Sequence, residues 1–310
     1  AYSLTAFYFE GHNGYDAFSL DNTRSTLSDA PGHDNQESVA LSGRAAWQLS
    51  DSQSLELVAS WLENDINYGF DEDWTFVGIC DGILCDPVFD FFSNTDNYLR
   101  DRGEVSADLR LLSVNQGSGL EYVVGFYAQQ RDEDLHREYY GDFFSSYSTE
   151  RQAIYGQIET ALAERVGLIA GLRYERFDDN YSDSLGSQSA SDDSLQSGEF
   201  TLTYQASDRT LLYATLSRGD KAGGVNTEAR ANLSFMQPVF QNFMQPRLWV
   251  DTETLLNREL GLKGSYMDGR LDFRAALFHM DRDDAQLESW VWDSANFLWI
   301  GFLDNVDGSN

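Results

Sequence analysis

Long segments of this sequence alternate apolar and polar side chains with a period of two residues, and this pattern limits the fold more than any other feature. From Val166 to Tyr174 the even positions are apolar or aromatic, whereas Arg173 occupies an odd position. Residues 104–113 and 269–281 repeat the pattern. Because successive side chains of a strand point to opposite faces of a sheet, the alternation predicts β-strands with one apolar and one charged face.

The connections between these segments are of two kinds that alternate along the chain. Short turns are predicted near residues 50–53, 115–119, 163–165, 206–208 and 267–269. Long polar loops are predicted at residues 11–36, 67–95, 140–148, 180–197, 220–251 and 283–295. This order predicts about a dozen antiparallel strands in an up-and-down sheet, with tight hairpins at one end and long loops at the other.

The composition excludes several classes of protein. Lys and Arg total 21 against 51 Asp and Glu, a formal net charge of −30 that would repel the phosphates of a nucleic acid. Hydrophobic residues make up 42% of the chain and aromatic residues 14%, too many for a disordered protein. No run reaches the roughly 18 consecutive apolar residues of a membrane helix. An aromatic-rich, all-β protein remains.

Long strands with an apolar face opposite a charged face are typical of outer-membrane β-barrels. Lipid offers backbone amides no hydrogen-bond partners, so strands cross it only in a closed barrel. The pattern therefore predicts an all-β, antiparallel up-and-down transmembrane β-barrel. Aromatic side chains favour the two membrane interfaces, although each one is equally compatible with core packing. The interface candidates are Trp47, Trp61, Tyr68, Tyr174, Tyr204, Tyr213 and Tyr266.

The two cysteines, Cys80 and Cys85, are separated by four residues. No second cysteine pair and no neighbouring histidine completes a metal-binding set. We predict a disulfide that closes a tight loop in an oxidising compartment, and a reduced pair of thiols is the alternative.

Acidic residues are concentrated in the predicted loops, for example at Asp178-Asp179 and Asp192-Asp193. A solvated rim that resists aggregation is the simplest interpretation. The alternative is the binding of divalent cations, including ions shared with lipopolysaccharide, although no cluster has the spacing of an EF-hand.

The sequence shows no arrangement of catalytic residues. Its four histidines are scattered, and neither a G-x-S-x-G elbow nor a phosphate-binding loop is present. We therefore predict that the protein is not an enzyme and holds no metal or cofactor. The tripeptide Arg218-Gly219-Asp220 raises an adhesion hypothesis, but its position favours a strand-to-loop junction.

An ordered series of short strings carries a family resemblance. The series includes Tyr155-Gly156-Gln157, Gly171-Leu172-Arg173-Tyr174, the run from Ser217 to Gly224, Glu259-Leu260-Gly261-Leu262 and Asp268-Gly269-Arg270-Leu271. In order and spacing, these strings resemble the barrel of TonB-dependent outer-membrane receptors over most of the chain.

The resemblance implies a barrel of about 22 strands in the outer membrane of a Gram-negative bacterium, of which residues 1–310 would supply about 12. We expect residues 1–310 to be a partial receptor barrel that lacks the N-terminal plug domain and the C-terminal strands. Such a receptor imports a scarce nutrient complex, most commonly a ferric siderophore, and the TonB complex supplies energy through the plug. Cobalamin, haem and glycans are the competing ligands. Outer-membrane lipid and lipopolysaccharide would surround the barrel.

Aromatic residues in the two longest loops are the predicted ligand contacts, since planar ligands stack on aromatic rings. They are Trp74, Phe76, Phe235, Phe240 and Trp249. Packing within the loops is the alternative role for each of them.

Two other functions stay open. A self-contained outer-membrane barrel of about 12 strands, acting as an enzyme or an adhesin, is compatible with an even number of strands. A soluble β-propeller would require a repeat of about 40 to 50 residues, and the sequence has no self-similarity at that period.

Overall fold

The computed structural model describes residues 1–14, 24–72, 74–79, 94–113, 119–233, 236–293 and 298–307. The strands are β1 (Tyr2–Asn13), β2 (His33–Ser50), β3 (Gln53–Asp71), β4 (Thr95–Ser113), β5 (Leu120–Glu138), β6 (Asp142–Ala163), β7 (Val166–Asp183), β8 (Gln188–Ser207), β9 (Thr210–Lys221), β10 (Gly224–Val225), β11 (Trp249–Val250), β12 (Glu253–Tyr266), β13 (Leu271–Asp283), β14 (Ala285–Asp293) and β15 (Leu298–Val306). The helices are α1 (Thr227–Leu233), α2 (Pro238–Met244) and a 3₁₀ turn at Gln245–Arg247.

Eleven of these strands form one antiparallel sheet, in which neighbours in sequence are neighbours in space. The order runs from β1 to β9 and then to β12 and β13, because residues 222–252 leave the sheet after β9. Within the described part of the chain, β1 and β13 are the two edges and the sheet does not close into a cylinder. The predicted all-β, up-and-down fold is confirmed.

The apolar face of the sheet is exposed, and the charged face is the more buried one. Leu172 and Leu277 on the apolar face are 77% and 75% exposed, whereas Glu56 and Glu175 on the charged face are each 5% exposed. A soluble protein has the opposite arrangement, because water solvates charges and drives apolar surface inward. The observed arrangement suits hydrocarbon outside the sheet and a polar space inside it.

Strand register aligns the apolar side chains of neighbouring strands in continuous rows. Leu168, Leu202, Ala214, Leu260 and Leu277 are successive register partners across β7, β8, β9, β12 and β13. A slip of one residue would move every member of such a row to the charged face, so the apolar pattern fixes the register.

Short turns connect the strands at one end of the sheet, as predicted near residues 50–53, 163–165, 206–208 and 267–269, whereas residues 115–118 of the remaining predicted turn lie outside the described residues. Asp51 and Ser52 form the turn between β2 and β3, and residues 208–209 form the turn between β8 and β9. In the turn between β12 and β13, Asp268 and Gly269 adopt φ angles of 56° and 81°. Only glycine adopts this left-handed region without steric cost, and aspartate is one of the few other residues that tolerate it.

At the opposite end, three of the predicted long loops are wrong. One of them, residues 283–295, is largely β14, and the other two are hairpins of the main sheet. Residues 139–141 connect β5 to β6 and residues 184–187 connect β7 to β8, so most of residues 140–148 and 180–197 is strand. Most of their side chains are polar on both faces, so the alternation of apolar and polar residues that predicts a strand is absent. These hairpins extend past the apolar band, where neither face meets hydrocarbon.

Most of the predicted interface aromatics lie on the apolar face, namely Trp47, Trp61, Tyr174, Tyr204 and Tyr266. The prediction is wrong for Tyr68 and Tyr213, whose register places them on the charged face. The Tyr213 hydroxyl donates a hydrogen bond to the Glu259 carboxylate, and its ring lies over Gly261, where an added Cβ would meet it at 2.2 Å. The ring thus occupies space that only a glycine leaves open.

Residues 222–252 and the β14–β15 hairpin form a compact unit beside the loop end of the sheet, which we call the loop subdomain. Its buried core consists of Ala229, Met236, Met244, Leu248, Ile300 and Phe302. Strand β10 packs against β7 and β8, and the loop predicted at residues 283–295 is largely β14. Among the described residues, no helix has the length and hydrophobicity needed to cross a bilayer.

Candidate ligand-binding site

Arginine–carboxylate networks hold the charged face of the sheet together. Glu56 of β3 lies between Arg44 of β2 and Arg110 of β4, whose Nε is 3.3 Å from the Glu56 carboxylate. The carboxylate of Glu175 in β7 is shared by Arg151 and Arg173, at 3.4 and 2.5 Å. Because each buried carboxylate has two cations beside it, the charged face presents fixed and largely neutralised charges.

At the loop end of the charged face, Tyr98, Arg100, Arg137 and Tyr139 form a group that we call the arginine–tyrosine cluster. The Arg137 Nε and Nη2 atoms donate to the two carboxylate oxygens of Asp96 at 2.8 and 2.7 Å. The Arg137 guanidinium carbon also lies 5.1 Å from the ring centre of Tyr98 and 4.6 Å from that of Tyr139. The cluster therefore combines cationic edges with aromatic faces.

The two tyrosines of the cluster are hydrogen-bond donors. Burial raises the pKa of the Tyr98 hydroxyl and that of Tyr139 well above the usual tyrosine value, so both stay protonated at neutral pH. Tyr98 donates to Asp96 at 2.9 Å, and Tyr139 donates to the Glu72 carboxylate. The Nε of Arg100 is buried without a hydrogen-bond partner among the described residues. This set of groups suits a ligand that carries negative charge and aromatic rings.

Asp179 fastens the loop subdomain to the charged face. Its side chain is 1% exposed and accepts hydrogen bonds from the Tyr147 hydroxyl at 3.0 Å, the Ser191 amide at 3.0 Å and the Val225 amide at 2.8 Å. Val225 belongs to β10, so this carboxylate joins three strands. The prediction that these aspartates form a solvated rim is confirmed for the half-exposed Asp178. It is wrong for Asp179, which is buried on the other face of β7.

Helix α1 of the loop subdomain brings Glu228 towards the arginine–tyrosine cluster. The charges of Arg100 and Arg137 act on the carboxylate of Glu228, which is an exposed residue. Dehydration by the surrounding protein and the neighbouring carboxylate of Glu288 raise the pKa of Glu228. Glu228 therefore couples the loop subdomain electrostatically to the wall.

The structure places the predicted ligand contacts in two separate loops. Phe240 packs against the core of the loop subdomain, whereas Trp249 is 48% exposed and stacks on the Arg230 guanidinium at 4.1 Å. Trp74 and Phe76 lie in the segment that follows β3. The Asp29 amide donates a hydrogen bond to the Thr75 carbonyl of this segment at 2.9 Å. Phe235, Cys80 and Cys85 lie outside the described residues.

Sequence reasoning missed the residues that the structure brings together, chiefly Tyr98, Arg137, Asp179 and Arg230. Tyr98 and Arg137 are register partners on β4 and β5 although 39 positions separate them in the chain. The alternation predicts the face of each residue, but only the strand register shows which residues face each other.

Two other sequence features have structural roles. Arg218-Gly219-Asp220 lies within β9, where the Arg218 Nε is 3.0 Å from the Asp220 carboxylate. His136, Glu138 and Asp142 have potential metal-ligating atoms within 4.8 Å of one another. The His136 Nε2 atom is hydrogen-bonded to Asp142 at 2.8 Å, and its ring stacks on Phe144. These contacts are sufficient to explain the His136 conformation.

Comparison with known proteins adds a family to this geometry. The family model described as TonB dependent receptor-like, beta-barrel matches residues 2–307. No curated protein sequence matches the chain.

Solved structures share the fold at low sequence identity. The ferric yersiniabactin uptake receptor FyuA from Yersinia pestis has a TM-score of 0.65 and 17% identity over 88% of this chain and 40% of its own. The copper transporter OprC has a TM-score of 0.65 and 16% identity, over 99% of this chain and 46% of its own. The alcaligin receptor FauA from Bordetella pertussis has a TM-score of 0.63 and 15% identity, over 98% and 45%. The chain thus spans less than half the length of these three proteins.

Proposed function

Because the chain belongs to the family of TonB-dependent receptor β-barrels, we propose that it forms part of the wall of an outer-membrane receptor that imports a scarce nutrient complex. The observation that carries this proposal is the inverted sheet, with Leu172 exposed on the outer face and Glu175 buried on the inner face. Such a wall is stable only between hydrocarbon and a polar lumen.

The rest of the barrel and its energy supply lie outside residues 1–310 in this proposal. Strands β1 and β13 have no partner on their outer edges among the described strands, and in lipid such edges require partner strands. A receptor barrel of about 22 strands would supply them. The TonB complex in the inner membrane would act on a plug domain, and lipopolysaccharide would contact the outer face.

A ferric siderophore is the ligand class that the site supports best. Chelates of iron with catecholate or carboxylate donors carry negative charge and are often aromatic, which matches the arginine–tyrosine cluster. Two of the similar structures are named for the uptake of ferric yersiniabactin and for alcaligin, and a third for copper. Binding and transport require no covalent chemistry, so no catalytic role is assigned to any residue.

Uptake of radioactive iron by cells that carry the full-length receptor tests this proposal. A receptor-deleted strain would be complemented with wild-type protein and offered a panel of ferric siderophores, with and without a functional TonB protein. We expect TonB-dependent uptake of at least one chelate. Because Arg137 supplies a cation of the cluster and contacts both tyrosine rings, Arg137→Ala should lower the affinity for that chelate about tenfold or more, equivalent to about 1.4 kcal/mol.

Arg176→Ala is the matched control. Arg176 lies on the outer face of β7 and pairs with Asp178 at 2.9 Å, away from the charged face. Its loss should leave uptake unchanged. The proposal is wrong if no chelate in the panel is imported, or if copper alone is taken up.

A further inference from the structure

Arg230 in α1 is a buried cation, and two of its side-chain nitrogens lack a hydrogen-bond partner in the described part of the chain. Its side chain is 9% exposed, and its Nε and Nη2 atoms have no hydrogen-bond partner among the residues that the structure describes. Burial of a guanidinium is unfavourable unless an anion or several acceptors compensate for the lost water. The described residues supply Arg230 with no such acceptor.

Asp183 is the carboxylate whose charge attracts Arg230, but its oxygens are already engaged. They accept hydrogen bonds from the Tyr181 hydroxyl at 3.0 Å and from the amides of Leu185 and Ser187, each at 2.9 Å. These bonds hold the turn between β7 and β8. Asp183 therefore has a structural role of its own and does not neutralise Arg230 by direct contact.

The surroundings of Arg230 give its free edge a defined direction. The ring of Trp249 lies 4.1 Å from the guanidinium carbon and covers one face of the planar group. Stacking of this kind leaves the N–H edge available for in-plane hydrogen bonds. On the wall, Tyr181 acts electrostatically on Arg230, and its register partner Ser189 has a buried hydroxyl without a hydrogen-bond partner among the described residues.

A purely structural role explains only part of this arrangement. Arg230 lies in the last turn of α1, where a cation is favoured by the helix dipole, and the contact with Trp249 adds a cation–π attraction. Neither interaction provides an acceptor for Nε and Nη2. Neither one involves the buried Ser189 hydroxyl, which lies beside Tyr181 in the register of β7 and β8.

We propose that Arg230, stacked on Trp249 and accompanied by Ser189, binds an oxyanion group, a carboxylate or a phosphate, between the loop subdomain and the wall. The inference rests on the proposed function, because the group would belong to the imported ligand. A free anion from the medium offers the same chemistry. The two parallel N–H groups of a guanidinium edge match the paired oxygens of either group.

Hydrogen exchange of the purified full-length receptor in detergent tests the site directly. Inorganic phosphate and citrate are the probes, and the readout is exchange of residues 224–250 during a titration with each anion. We expect at least one anion to slow exchange in a saturable way. Arg230→Met, which keeps most of the volume and removes the charge, should raise the half-saturating concentration at least tenfold.

The control variant is Arg209→Met. Arg209 lies in the exposed turn between β8 and β9, 3.9 Å from Asp268, and its removal takes away the same charge at the opposite end of the sheet. It should leave the anion response unchanged. If Arg230→Met fails to reach the outer membrane, the variants Ser189→Ala and Arg230→Lys test the site instead. Each is expected to raise the half-saturating anion concentration severalfold.

Three results would overturn the site. The first is a wild-type receptor that responds to neither anion. The second is an Arg230→Met receptor that responds like wild type, and the third is wild-type responses from both replacement variants.

Uptake identifies the source of the oxyanion. Selective loss of import of carboxylate- or phosphate-bearing chelates in Arg230→Met assigns the group to the ligand, whereas unchanged import assigns the site to a free ion. Since exchange requires no import, failure of all uptake would reject the proposed function and leave the site standing.

Discussion

At the scale of single residues, Asp179 controls how the loop subdomain sits on the wall. One carboxylate accepts hydrogen bonds from Tyr147, Ser191 and Val225, which belong to three different strands. A carboxylate accepts hydrogen bonds on both of its oxygens. A side-chain amide accepts only on its oxygen and donates from its nitrogen. Replacement by asparagine therefore keeps the shape and leaves at least one buried donor without an acceptor.

Asp179→Asn is expected to loosen the loop subdomain without unfolding the barrel. Unsatisfied buried donors cost about 1–3 kcal/mol, so exchange or proteolysis within residues 222–252 should accelerate about fivefold or more. Limited proteolysis of the full-length receptor measures this. Asp178→Asn makes the same chemical change on the half-exposed neighbour, and equal effects of the two variants would contradict the anchoring role.

Glu228 makes the same subdomain sensitive to pH. Its pKa is raised in the folded protein by dehydration and by Glu288, so the folded state binds the proton more tightly than the unfolded chain does. The resulting stabilisation is complete below the unfolded pKa of about 4.3 and is lost as the pH rises through the raised folded pKa.

Glu228→Gln should remove this pH dependence. At neutral pH the variant is expected to exchange the amides of α1 more slowly than wild type, because it lacks the negative charge that the neighbouring Glu288 disfavours. The difference should shrink as the pH falls towards about 4, where the wild-type carboxyl is protonated. Exchange rates corrected for the intrinsic effect of pH provide the measurement. Glu164→Gln, in the exposed turn between β6 and β7, should show no such effect.

At the scale of elements, the two-residue alternation was sufficient to predict the strands, their faces and the short turns. It failed at β14, and also at the tips of β5, β6, β7 and β8, where most side chains are polar on both faces. The candidate site was harder to predict. Arg230 and Trp249 come together only through the fold of the loop subdomain, and the aromatic candidates gave no sign of which would meet a cation.

Neighbouring valines on β5 test the assignment of the two faces. Val124 is 56% exposed on the apolar face, and Val123 lies on the charged face. Val124→Arg should destabilise the barrel by about 2–4 kcal/mol, because it places a cation in hydrocarbon, while Val123→Arg should cost much less. Outer-membrane levels and the heat-dependent shift on gel electrophoresis report folding. A soluble protein would tolerate arginine better at the exposed position 124.

At the scale of the whole molecule, the most consequential feature is the pair of open edges at β1 and β13. Within the segments that the structure describes, each edge presents unpaired backbone groups next to an apolar outer face. Unpaired edges associate readily with other strands, and lipid or detergent increases the penalty for leaving them bare.

Residues 1–310 produced alone are therefore expected to associate through these edges. In detergent, light scattering coupled to size-exclusion chromatography should show oligomers or aggregates, while the full-length receptor should give a single species of defined mass. A monodisperse monomer of residues 1–310 would show that the edges find partners within this segment.

The β5–β6 hairpin extends far beyond the apolar band, and this length determines what can reach its tip. Residues 142–152 of β6 continue about 35 Å along the strand beyond Ile154, an exposed apolar residue of the outer face. The hairpin tip at Tyr140 is 70% exposed. In the proposed receptor, molecules far too large to pass the barrel, such as antibodies, would therefore reach this tip from outside the cell.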